Sequence, residues 1–222
     1  MTFSLVGMCG RTRMLGVAVT SSSLCVASRC AWAQSGAGAV ATQNLTDPGL
    51  GALALSLLER GLAAPVVSDM LVRADPHPAH RQHLLIDRNG ETAVFSGAKA
   101  LPVHAQATGP LCAAAGNILR SDTVPRAMVD SFARHPEQDL ELRLIGALLD
   151  GLAAGGEMRA LRSAGLLVVD TQRWPVVDLR VDEHAAPLAE LARIADLYRP
   201  LRPGYVSRAT EPQLYQPEAP AG

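Results

Sequence analysis

The chain has 222 residues, 48% of them hydrophobic and 18% charged, with a formal net charge of −1. That length and balance suit one folded domain with its own core and exclude a disordered chain. The near-zero charge gives no electrostatic basis for binding nucleic acid or an anionic membrane, and no run reaches the roughly 20 apolar residues of a membrane helix.

The N-terminal stretch Met1-Thr2-Phe3-Ser4-Leu5-Val6-Gly7-Met8-Cys9-Gly10 has no basic region and no long apolar run. It does not read as a secretory signal, so a cytoplasmic protein with reduced cysteines is expected. Cys9, Cys25, Cys30 and Cys112 form no Cys-x-x-Cys pair and read as buried thiols. Lys99 is the only lysine, so no other residue can supply a lysine nucleophile or Schiff base.

Short apolar runs open the chain. Phe3–Val6 and Leu15–Val19 flank the turn-like tetrad Gly10–Arg13, a hairpin signal. Ala37–Gln43 is a third strand, built of small residues that let another backbone or a ligand approach closely. Asp47-Pro48 then starts a helix, with Asp at the cap and Pro at the first helical position; Leu53, Leu55, Leu57 and Leu58 give it apolar bulk up to Arg60-Gly61. A second helix is expected from Pro65 to Ala74, ending before Asp75-Pro76.

Strands return at Gln82–Ile86 and Thr92–Phe95 around the turn Asp87-Arg88-Asn89-Gly90, with weaker signals at Val103–Thr108 and Leu111–Ala114. Helices follow at Pro125–Arg134 and Leu140–Leu152. Ala164–Val169 reads as a strand buried on both faces, pairing with Val176–Val181, and a helix spans Pro187–Tyr198. This order predicts a layered α+β sandwich with sheets inside and helices outside. One domain covers residues 1–199, and residues 200–222, rich in Pro, read as an extended tail able to pack across a neighbouring subunit.

The first chemical candidate is Thr2. Removal of Met1 leaves a β-hydroxyl and an α-amine on one residue. The amine, with a reference pKa of about 7.7–8.0, can take the hydroxyl proton at neutral pH. Ser21, with Ser22 and Ser23, ends the second strand beside Thr2 and can orient the amine or a water; for any one of the three a polar turn is the slightly better explanation. Asn117 follows the small-residue run Ala113–Gly116 and is a neutral oxyanion donor or an ordinary turn residue. Gly155-Gly156 leads into Glu157, Met158 and Arg159, a substrate-binding loop or an ordinary surface loop, just before Ser163 and the buried strand. Asp178 and Arg180 share one face of an alternating strand with Asp182, as a site wall or a solvated edge. His77, His80 and His83 straddle a Pro and a strand start, which argues against a zinc site.

Taken together, Met1–Ser4, Gly16–Val19, Gly38–Asn44, Gly116-Asn117, Ala154–Gly156, Ser163–Val168 and Val177–Asp182 resemble the bacterial family known as domain of unknown function 1028. That resemblance implies the four-layer αββα sandwich of the N-terminal-nucleophile (Ntn) hydrolases and a threonine at the mature N-terminus. Glu157, where many members carry Asp, and Ser21-Ser22-Ser23-Leu24, in place of a Ser-Lys pattern, depart from it.

The leading expectation is a hydrolase of a small amide or related C–N bond. Thr2, Ser21, Asn117 and Ser163 would act at its centre, and Gln43, Glu157, Arg159, Asp178 and Arg180 would bind substrate. Neither cofactor nor metal is called for, and a homo-oligomer is expected. The competing expectation is a non-catalytic ligand-binding or assembly protein on the same scaffold.

Overall fold

A computed structural model of the protein describes residues 2–214. Met1, whose removal the threonine chemistry requires, and the last eight residues of the expected tail lie outside that range.

The first two strands, β1 (Thr2–Met8) and β2 (Leu15–Ser21), form the expected hairpin. A short helix α1 (Ala27–Cys30) and strand β3 (Ala31–Gln34) follow, then β4 (Gly38–Asn44). Asp47 caps α2 (Pro48–Glu59), its carboxylate accepting from Gly49 N–H at 2.9 Å, a contact worth about 1 kcal/mol. Next come α3 (Ala64–Ala74), β5 (Arg81–Asp87), β6 (Thr92–Ser96), β7 (Ala105–Gly109) and β8 (Cys112–Gly116). The chain continues through α4 (Val124–Arg134), α5 (Leu140–Ala153), β9 (Ser163–Val169), β10 (Val177–Val181) and α6 (Pro187–Tyr198).

The strands make two antiparallel sheets. One has the order β10-β9-β2-β1-β8-β7 and the other β3-β4-β5-β6. The period-2 alternation of each strand sends successive side chains to opposite faces and so builds three apolar layers. Between the sheets, Val6, Met8, Val17 and Val19 pack on Ala39, Ala41, Leu84 and Ile86; alanines facing larger aliphatics let the sheets close tightly. Phe3, Leu5, Leu166 and Val168 face the opposite way, onto Met128, Phe132, Leu144 and Leu191 of α4, α5 and α6. Val40 and Leu85 carry α2 and α3 through Leu50, Leu58, Val67 and Leu71. The result is a four-layer αββα sandwich, the architecture that the family resemblance implies.

Residues 202–210 do not run extended: Arg202–Thr210 form a further helix, α7. Pro203 sits in its first turn, where a missing N–H costs nothing, and Arg202 reaches the buried carboxylate of Glu141 at the start of α5. Among the described residues no helix is long and apolar enough to cross a membrane.

Candidate active site

The antiparallel registers place four of the sequence candidates in one row. Thr2 pairs with Ser21, and Ser21 pairs with Ser163 on its other side. Asn117 follows the last residue of β8 and donates its N–H to Thr2 O at 3.0 Å. Asn117, Thr2, Ser21 and Ser163 therefore stand side by side at one end of four adjacent strands, and all are buried. On β1, Thr2 and Ser4 share the inter-sheet face with Val6 and Met8, so this end of an otherwise apolar layer is polar.

The main-chain N–H and the hydroxyl of Thr2 both have partners. Thr2 Oγ1 donates to Ser21 Oγ at 3.2 Å, and Ser21 Oγ also accepts from Ser23 N–H at 2.9 Å. Thr2 N donates to Asn117 Oδ1 at 3.4 Å. Asn117 Nδ2 donates across the inter-sheet space to Gln82 Oε1 at 3.0 Å. Gln43 Nε2 donates to the same Gln82 oxygen at 2.7 Å, and Ser4 Oγ donates to Gln43 Oε1 at 2.7 Å. Side-chain amides thus link the two sheets beneath Thr2.

The sequence reading gave Asn117 the part of an oxyanion donor. In the structure one of its side-chain N–H groups donates to Gln82, and its oxygen faces Thr2 N. Ser163 is not turned onto Thr2. Its hydroxyl donates to Ser23 O at 2.6 Å and accepts from Val26 N–H at 3.1 Å, pinning the loop that follows Ser21.

Glu157 is 3% exposed, and its carboxylate accepts from both the N–H (3.0 Å) and the hydroxyl of Ser22. Gly155 and Gly156, at φ +126° and +58°, make the turn that delivers it. The loop is tied to the segment after Asn117: Arg120 N–H donates to Gly156 O at 3.0 Å and Met158 N–H to Ile118 O at 2.9 Å. Ile118 has φ +50°, a conformation that costs a β-branched residue about 1–3 kcal/mol and that collects at functional sites.

The remaining candidates divide. Gln43 lies within the amide network, and Arg159 is exposed on the Glu157 loop. Asp178 and Arg180 do not join the row. They lie on β10, three strand spacings from Thr2, or about 14 Å. They pair with each other instead, Arg180 Nε to Asp178 Oδ1 at 2.8 Å. Their alternation is that of a solvated edge strand. A cavity of about 700 Å³ opens at the far end of the sandwich, lined by Gln34, Val169 and Trp174, and is separate from this row.

Sequence reasoning passed over Ser4, Gln82 and the pairing of Ser22 with Glu157. A signal existed for two of them: Ser4 and Gln82 each hold an inward position next to apolar inward positions in their strands, where a polar group must find a buried partner.

A family model described as a family of unknown function, DUF1028, matches residues 2–191. The chain belongs to the DUF1028 family. Protein SPO2555 from Silicibacter pomeroyi, whose crystal structure is also assigned to DUF1028, superposes with a TM-score of 0.83 at 29% identity, covering 89% of this chain and 85% of that one. Anbu (ancestral beta-subunit) from Yersinia bercovieri aligns at a TM-score of 0.41 and 12% identity, over 99% of this chain and 100% of that one, a likeness too loose to build on. No curated protein matches the chain.

Proposed function

We propose that this DUF1028 protein is an N-terminal-threonine hydrolase of a small amide or related C–N bond, active once Met1 is removed. The observation that carries the reading is the pair of contacts at Thr2: its hydroxyl on Ser21 Oγ at 3.2 Å and its nitrogen on Asn117 Oδ1 at 3.4 Å. A nucleophile whose base is its own amine needs both atoms fixed at once, because proton transfer requires the nitrogen lone pair to face the hydroxyl.

In this reading the α-amine takes the Thr2 hydroxyl proton while Oγ1 attacks the substrate carbonyl, and then returns the proton to the leaving nitrogen. Asn117 accepts one N–H of the amine and so directs its lone pair. Ser21 Oγ accepts the Thr2 hydroxyl proton at rest, and the hydroxyl turns from it to the amine as Oγ1 attacks. One Asn117 N–H is used on Gln82 Oε1; its second N–H and main-chain N–H groups of the surrounding loops are the donors open to the developing oxyanion. Arg159, exposed beside Glu157, is the better partner for a substrate carboxylate, since Arg180 is already occupied by Asp178.

The test is a hydrolysis screen of small amides, lactams and ureido acids with the processed protein and its Thr2→Ala and Thr2→Ser variants. Turnover by the wild type, retained in part by Thr2→Ser and absent in Thr2→Ala, is the expected result. Equal turnover by Thr2→Ala overturns the reading and favours the non-catalytic alternative.

A further inference from the structure

Gln82 is fully buried, and its amide uses every hydrogen-bonding position it has. Its oxygen accepts from Asn117 Nδ2 at 3.0 Å and Gln43 Nε2 at 2.7 Å; its nitrogen donates to Ser96 Oγ at 2.9 Å and Gly116 O at 3.1 Å. Gly116 O is a main-chain carbonyl and can only accept, so it fixes which end of Gln82 is the N–H₂. The other end must then be the oxygen, and an oxygen there demands an N–H₂ from Asn117. That leaves Asn117 one orientation, with Oδ1 toward Thr2 N.

We infer that Gln82 is a positioning residue for the Thr2 amine: it transmits the fixed polarity of the Gly116 carbonyl through Asn117, so that an acceptor and not a donor faces the nitrogen. The inference rests on the reading of Thr2 as a free N-terminal residue and adds a residue from the other sheet to that site. The groups that touch Thr2 directly, Ser21 and Asn117, do not ionise, nor do Gln43 and Gln82 behind them. The charged neighbour is Glu157, held on Ser22; the other titratable group coupled to the N-terminus is the Cys30 thiol of the inter-sheet layer, which burial pushes up to about 11, so it stays neutral while the amine titrates. Both are common to every variant below, so differences among them report Gln82.

The electrostatic consequence has a sign. An amide oxygen facing the amine stabilises its protonated form. An amide N–H₂ facing it opposes protonation. In Gln82→Met the constraint on Asn117 is gone and its amide can turn over. Gln82→Glu keeps an acceptor for Asn117 Nδ2, and when protonated also keeps a donor for Gly116 O.

The experiment labels the protein with ¹⁵N-threonine and follows the Thr2 α-amino resonance, which lies well apart from the amide signals, as pH is varied. Intact mass confirms that Met1 is gone, and melting curves confirm that each variant is folded. Relative to wild type, the amine pKa falls by about one unit or more in Gln82→Met and is held or raised in Gln82→Glu. An unchanged amine pKa in a folded Gln82→Met protein, or equal falls in both variants, overturns the inference and leaves Gln82 a purely structural tie. The readout needs no substrate. A shifted pKa in a protein that hydrolyses nothing upholds the inference and counts against the hydrolase reading, whereas a retained Met1 overturns both.

Discussion

Replacing His83 with glutamine will flatten the acid side of the stability profile. His83 lies on the outer face of β5 under α3 and is 2% exposed. Its ring stacks on Phe95 with centroids 5.1 Å apart, Nε2 meets Ser68 Oγ at 2.9 Å, and Nδ1 is buried without a partner. Burial pushes the imidazole down from 6.5 to about 4, with the Asp75 carboxylate only partly opposing. The folded state therefore binds this proton less readily than the unfolded chain does. The neutral ring contributes stability that is fully present above 6.5 and is lost as pH falls from 6.5 toward about 4. At 1.36 kcal/mol per unit the whole effect is about 3 kcal/mol, of which about 2 kcal/mol is lost between about pH 7 and about pH 4.5. Urea denaturation of wild type and His83→Gln at those two conditions isolates it, because every other group titrates alike in both proteins. Wild type should lose about 2 kcal/mol more than the variant. Equal losses would show that His83 is not held neutral by the fold.

Two further substitutions test the packing around the site and the C-terminal helix. Arg202→Ala strands the carboxylate of Glu141, which is 2% exposed. The expected loss is about 3 kcal/mol, a fall in Tm of roughly 6–12 °C by calorimetry, and a fall under about 2 °C would place the ion pair among those that contribute little. Gly165→Ala puts a methyl carbon 2.3 Å from the Ala27 side chain, two residues along β9 from Ser163. It should destabilise by about 1–3 kcal/mol and speed hydrogen exchange at Val26 N–H, and unaltered exchange there would mean that α1 shifts without disturbing the pinned loop.

The layered fold was legible because its local signals agree with its packing. Gly10–Arg13 turns the first hairpin, and Asp87 turns β5 into β6 by accepting from Asn89 and Glu91 N–H. Strand β3 was not legible: Ala31–Gln34 is four residues long, only partly buried at a sheet edge, and emerges directly from α1. Helix α7 was masked by Pro203 and Gly204, which read as breakers, while the ion pair that holds it depends on a residue 61 positions earlier.

The candidate site divides the same way. Thr2 and Ser21 were readable as neighbours because a hairpin register joins them. Asn117 was readable as a neighbour of Thr2, but its orientation was not, since its amide is held by Gln82 from the other sheet, 35 residues away. Asp178 and Arg180 were readable as sharing a face but not as lying three strands from Thr2, because alternation in a strand reports faces and not the strand's place in the sheet.

The most direct measurement is capture of the acyl-enzyme. The protein is incubated with an activated ester or lactam, quenched in acid, digested and mapped by mass spectrometry. The account predicts a peptide that begins at Thr2, carries the acyl group on its hydroxyl, and vanishes in Thr2→Ala. An N-terminal peptide that retains Met1, or an acyl group that persists elsewhere in the chain when Thr2 is alanine, would contradict it.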